Sequence, residues 1–323
     1  IAFNMISLLS KNKEFYSHLI LFDIIKYGLL NISLLTSNQI NQLNIISILK
    51  IIKYNYKQDQ IRDFVREFFP MEIIMDYFPK LIHLNYSMHL LQWIKFLNIF
   101  CMFQHSEQDG RLIFMNISDL RDRIELPIQI KYLCNIIVNM IKFKTLPIDL
   151  FTLYNYPTFF KYLLLKKNNT SYIENVLYLI GICTLNNIVS VFYEVNFFLK
   201  AFYEHPFDDN IRINVIWNLS LGLNEEICHF LIENGFFNLL INIYQDCSSN
   251  LKHEIALFIT DMMFKLDDQP EFFLSNQIIE ILIDSMIIFD EDIFKIGATL
   301  FQTIEKCLTE GKEAEIESLR YFL

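Results

Sequence analysis

An all-α fold built from stacked helical repeats is predicted by three features of this sequence. Apolar residues recur at helical spacing, as in Val215 and Leu219, or Ile255, Phe258 and Ile259. Glycine and proline are scarce, 7 of each in 323 residues, so the dense turns of an all-β protein and the alternating strands of an α/β protein have no signal. Blocks of sequence also recur about every 40 residues, a period that marks an array of helical units.

Taken in order along the chain, residues 1–86 fit the repeat least well, and Lys50 is set against Asn98 as the upstream equivalent. Leu97-Asn98-Ile99 matches Val138-Asn139-Met140 at an offset of 41. Val176-Leu177-Tyr178 matches Val215-Ile216-Trp217 at 39, and the same 39 carries Glu194–Phe198 onto Glu233–Phe237. Ile211-Arg212 and Val215–Trp217 match Leu251-Lys252 and Ile255–Leu257 at 40, and Ala256 matches Ala298 at 42. The clearest unit is Asn210–Tyr244. It reads as a long helix, a joint, a short helix closing at Glu233-Asn234-Gly235 and a third helix. Glu305, Glu310, Glu313, Glu315 and Glu317 crowd the end, so 306–323 is expected to form a solvated acidic cap.

A unit of this kind cannot bury its apolar flank alone; stacked neighbours supply the missing surface. With 53% hydrophobic residues and no Pro/Gly/Ser-rich linker, the expectation is one elongated domain over 1–323 with about seven units. Divergent units occupy 1–86 and clearer ones 87–305.

Charge and motif content narrow the function. The formal net charge is −10 and no basic face is evident, which argues against nucleic acid and favours basic partners. The six cysteines are scattered without a C-x-x-C pair, so neither a disulfide framework nor a zinc site is expected, nor any cofactor. Cys101, Cys134 and Cys183 fall on apolar helical faces, where a free thiol packs as a small hydrophobe; the reading is a reducing compartment, cytoplasm or nucleus. Val176–Tyr193 runs 18 residues without a charge, near the length of a membrane span. The repeat alignment sets Asn186-Asn187 at a joint within it, so no membrane segment is expected. Nucleophile elbows, phosphate loops and H-E-x-x-H are absent, and His83, His89 and the Cys228-His229 and His253-Glu254 pairs stand apart. No enzyme is read here.

The unit resembles an armadillo repeat through Val215-Ile216-Trp217-Asn218-Leu219-Ser220, Glu225-Glu226-Ile227 and Glu233-Asn234-Gly235-Phe236-Phe237. HEAT repeats are the competing pattern. The bend between the short helices calls for a positive φ, which Gly235 adopts cheaply, with Asn196 and Asn276 near that position in other units. The resemblance is strong over 171–305, fair over 87–170 and weak over 1–86. It implies a right-handed α-solenoid of three-helix units whose long third helices line a concave groove.

In the importin-alpha family, to which the chain is distantly similar, those helices carry a Trp and, one turn on, an Asn. The Asn holds an extended peptide backbone and the Trp makes a slot for lysine and arginine stems. Here the Asn column reads Asn98, Asn139, Ile182, Leu221, Asp261, Thr303, and the Trp column Ile94, Asn135, Tyr178, Trp217, Leu257, Thr299. Trp93 lies one residue out of register, and no unit carries both family residues. The resemblance implies a peptide groove over Asn98, Asn139, Tyr178, Trp217, Asp261 and Thr303. It also implies an extended basic, nuclear-signal-type peptide as ligand and a nuclear transport receptor as further partner. The alternative is a scaffold that docks a folded protein, favoured by Ile182 and Leu221. Four polar residues in six slots imply that the Asn column faces water.

Overall fold

The computed structural model describes residues 87–311 except 104, 125, 166–169, 189–193, 268 and 289–292, together with Asp59, Arg62 and Asp63. The expected units of 1–86, the end of Val176–Tyr193, and Glu313, Glu315 and Glu317 lie outside the described residues. Thirteen α-helices and no strand occur among the described residues. The chain divides into two compact units, residues 1–160 with 168–179, and residues 161–167 with 180–323.

The first unit holds α1 (Ser87–Cys101), α2 (Glu107–Leu120), α3 (Pro127–Lys142) and α4 (Ile148–Leu153), with residues 156–160 of α5 (Tyr156–Leu165) and 173–179 of α6 (Ile173–Leu185). Its two long helices, α1 and α3, pack on each other, and α2 packs on α4. Trp93 is fully buried on α1, stacked on Phe96 at 5.5 Å, with its indole N–H donating to Asn116 Oδ1 at 2.7 Å. Trp93 thus belongs to the interior, as does Ile94 in the column position beside it. Phe114, Phe151 and Tyr156 form a second aromatic nucleus, with Phe151 stacked on Tyr156. Ser106 begins α2 with a capping box closed by Asp109. Where that turn meets the one before α4, a Cβ on Gly110 would lie 2.3 Å from the Thr145 carbonyl, so only glycine lets the two backbones approach. His105 joins the same two turns. Its Nδ1 donates to the Phe103 carbonyl at 2.9 Å, since a carbonyl only accepts, and Nε2 meets the Thr145 hydroxyl at 2.8 Å.

The second unit holds α7 (Val195–Glu204), α8 (Asp209–Leu221), α9 (Glu225–Glu233), α10 (Phe236–Ile243), α11 (Ser249–Lys265), α12 (Asn276–Ile288) and α13 (Ile293–Thr309). The long helices pack in succession, α8 on α11 and α11 on α13. Burial repeats with the sequence: Ile211–Leu219 and Leu251–Ile259 have the same order of buried and half-buried residues at all nine positions. Their caps repeat too. Asp208 accepts from the Ile211 N–H, and Ser248, 40 residues on, accepts from that of Leu251.

In each unit, long-range side-chain bonds recur at one sequence separation. His105–Thr145 spans 40 residues, Arg111–Asp149 38 and Ser118–Tyr156 38. Asp209–Ser248 spans 39, Tyr244–Asp284 40 and Asp267–Lys306 39. Shorter reaches exist, such as Lys161–Glu194 at 33. The buried members, His105–Thr145 and Ser118–Tyr156, each contribute about 0.5–1.5 kcal/mol, while the exposed ones mainly record register. Exposed ion pairs contribute about 0–1 kcal/mol each, whereas burying one Leu or Ile, such as Leu219 or Ile259, contributes about 1.5–3 kcal/mol.

Gly235 stands between α9 and α10 at φ +73°, as the sequence requires. Asn196 and Asn276 do not take this role. Asn196 lies inside α7, which the chain enters through extended Glu194, and Asn276 opens α12; neither has a positive φ. The left-handed residue at the corresponding bend between α4 and α5 is Asn155, at φ +53° and two repeats upstream of Gly235. Lys144 and Asn187 are also left-handed, at φ +57° and +53°, and end α3 and α6. At Asn187 the next N–H, of Ile188, returns to the Cys183 carbonyl at 3.0 Å, which closes the helix before the apolar run ends. Among the described residues no helix is long and apolar enough to cross a membrane.

A Cβ on Gly235 meets nothing within 4 Å, so replacing this residue tests backbone strain alone. Gly235→Ala is expected to lower the urea midpoint at unchanged slope, by about 1–2 kcal/mol, and Gly235→Asn to cost well under half of that. Equal losses in both would show that the φ is not what glycine supplies.

Candidate binding surface

The columns read from the sequence fall on the long helices, three of the proposed groove residues in each unit. In the first unit Asn98 sits on α1, Asn139 on α3 and Tyr178 on α6. Asn98 is only 8% exposed, and its Oδ1 has no hydrogen-bond partner among the described residues. Asn139 is half-buried and Tyr178 is exposed.

In the second unit Trp217 sits on α8, Asp261 on α11 and Thr303 on α13. Trp217 is half-buried, seated on the Gly181 backbone of α6 so closely that a Cβ there would lie 2.1 Å from its Cζ3. Asp261 is held by Lys295 Nζ at 2.8 Å. Thr303 is 8% exposed and donates its hydroxyl proton to the Thr299 carbonyl at 2.9 Å.

The Asn column therefore does not face water freely. None of Asn98, Asn139, Ile182, Leu221, Asp261 and Thr303 is exposed; Asn98 and Thr303 are buried and the rest are half-buried. The reason is steric. Long helices packed side by side close over residues near their contact line, and a polar pattern in sequence does not register that closure.

One open cleft in the second unit lies outside the sequence reading, although it takes in Thr299 and Thr303. About 190 Å³ in volume, it is lined by Met263, Phe264 and Asp267 from the end of α11 and by Thr299, Gln302, Thr303 and Lys306 of α13. Phe264, Asp267, Gln302 and Lys306 were missed because they stand off the two family columns. An available signal was the aromatic Phe264 beside charged residues at a helix end.

Four thiols, Cys101, Cys183, Cys228 and Cys247, are unsuited to attack. Burial pushes Cys183 up to about 12, and Cys228 and Cys247 up to about 11, from an ordinary value of 9.0; Cys101 is raised further by burial and by nearby Asp109. A thiol held protonated is a weak nucleophile. Among the described residues, no group of three or more His, Cys, Asp or Glu is placed to hold a metal ion. Compared with known proteins, the chain matches no family model and no curated protein.

Two measurements follow from this geometry. Trp93 is sealed and Trp217 half-open, so acrylamide is expected to quench one tryptophan component readily and the other hardly at all. Trp217→Phe should remove the quenchable component, and Gly181→Ala should increase its accessibility by displacing the ring. If Trp217→Phe instead leaves a readily quenched signal, the burial of Trp93 is wrong.

The second concerns pH. Burial also raises the Tyr156 and Tyr244 phenols, the latter with help from its bond to Asp284. Above about pH 9 the unfolded chain loses thiol and then phenol protons that the folded chain keeps, so stability falls as pH rises toward the folded values. Urea midpoints under reductant should drop between pH 8 and pH 10.5, and Cys183→Ala should flatten that drop. An unchanged midpoint would contradict the burial of these groups.

Proposed function

We propose that the chain is a non-enzymatic protein-binding solenoid of armadillo-like repeats, an adaptor that takes an extended basic peptide along the exposed flanks of its long helices. The observation that carries this reading is the recurrence of one packing step. Long helix follows long helix, with register bonds 38–40 residues apart, and such stacking generates an extended recognition surface. The acidic balance favours a basic ligand. Asp261 already grips a lysine of its own chain, which supports the chemistry expected of that column. On this reading the protein works in the cytoplasm or nucleus, with a nuclear transport receptor as a further partner.

The scaffold reading has its own support. Phe294, Phe301 and Leu308 are exposed along α13, seven residues apart on one face, and an open apolar stripe favours a folded protein partner.

A labelled lysine-rich nuclear-signal peptide titrated by fluorescence anisotropy separates the two. The adaptor reading expects micromolar or tighter affinity that weakens between about 50 and about 300 mM salt and falls in Asn139→Ala or in Trp217→Ala. No binding by folded protein would remove the adaptor reading and leave the scaffold.

A further inference from the structure

We propose that the cleft between α11 and α13 is a receptor for an arginine side chain of a partner protein. This rests on the basic-ligand reading above and moves its principal subsite away from Asn98 and Asn139.

The size of the cleft limits its occupant. About 190 Å³ is below the roughly 300–1,000 Å³ of small-molecule and cofactor pockets and suits a single long side chain. Its hydrogen-bonding capacity points to a donor. Thr299 spends its hydroxyl proton on the Lys295 carbonyl at 3.0 Å and Thr303 on the Thr299 carbonyl at 2.9 Å. Both hydroxyls therefore have only lone pairs left to offer. Asp267, its side chain 77% exposed, adds a carboxylate, and Gln302 adds an amide oxygen. A wall of Met263 and of Phe264, which is 68% exposed, suits the alkyl stem of a cationic side chain and the face of its head.

The chain's own lysines already rehearse both contacts, loosely. Lys306 Nζ lies 3.4 Å from Asp267 Oδ2 and also donates to the Asp267 carbonyl, while Lys265 Nζ lies 5.9 Å from the centre of the Phe264 ring. Exposed pairs of this kind are weak, so a better-fitting cation displaces them. Arginine fits better than lysine. Its planar guanidinium stacks on a ring and offers five donors to several acceptors at once, where an ammonium acts as a compact point charge. Long-range attraction favours the same partner. Residues 194–323 hold 23 of the chain's 37 acidic side chains but only 8 of its 27 basic ones, so a cation is drawn to this part of the chain.

The test uses the full chain and a fluorescein-labelled peptide of paired arginines flanked by glycines, with its citrulline and lysine counterparts. Arginine is expected to bind several-fold tighter than lysine, and citrulline, which lacks the charge, not measurably. Phe264→Ala and Asp267→Asn should each weaken arginine binding about three- to tenfold, the range of a partly desolvated cation–π or charge-assisted contact. Both side chains are exposed, so the variants should keep the wild-type helical circular dichroism. Lys306→Ala removes the internal competitor and should tighten binding, a gain that unfolding cannot mimic. If arginine peptides bind and none of the three variants changes their affinity, the cleft is not the subsite, and the basic-ligand reading stands without it. If folded wild-type protein binds no basic peptide at all, both fall.

Discussion

An amphipathic helix hairpin has more apolar surface than it can cover by itself, and the requirement that the next long helix cover it governs most of what is seen within each unit. Leu219 and Ile259 hold equivalent places on α8 and α11, and both are fully buried because a further long helix follows in each case. Conserving one packing step fixes the caps at Asp208 and Ser248, the bend at Gly235 and the separation of the register bonds. The polar contacts follow from this arrangement: exposed pairs such as Arg111–Asp149 hold register, while apolar burial supplies the free energy.

The same packing decides what is left for recognition. Side chains near the line where two long helices meet are drawn in, so Asn98 and Thr303 lose most of their exposure and Asp261 finds an internal partner in Lys295. Groups farther from that line, at the end of α11 and on the outer flank of α13, stay open. Phe264, Asp267 and Gln302 are of this kind, and they line the cleft between the two helices. A surface of this construction exposes its chemistry at the edges of the helix contacts.

Much of this architecture was legible in the sequence, and for a physical reason. Repeats imprint a period on every position that must be buried, so the match of Ile211–Leu219 with Leu251–Ile259 carried over to burial residue by residue. The positive φ at Gly235 was legible because few residues tolerate it. Which asparagine takes the same conformation was not legible: Asn155 does and Asn196 does not, because asparagine is frequent in this chain and its presence near a bend says little about φ. Exposure within the columns was not legible either. It depends on how closely a neighbour some 40 residues away approaches, and neither the identity of Asn98 nor that of Thr303 encodes that distance. The seat of Trp217 on Gly181 has the same character: a glycine in mid-helix becomes informative only once the ring above it is known.

The recurring separation of 38–40 residues also governs how the chain folds. Within each unit the helix contacts among the described residues join elements near one another in sequence, the kind of local contact that favours rapid folding. Among the described residues no distant strand has to be paired before burial begins to repay the lost entropy. Within each unit, folding can start where two long helices meet, as at α1 with α3 or α8 with α11. A lesion at one of these contacts, such as Leu219 where α8 meets α11, is then felt first by the helix packed on it.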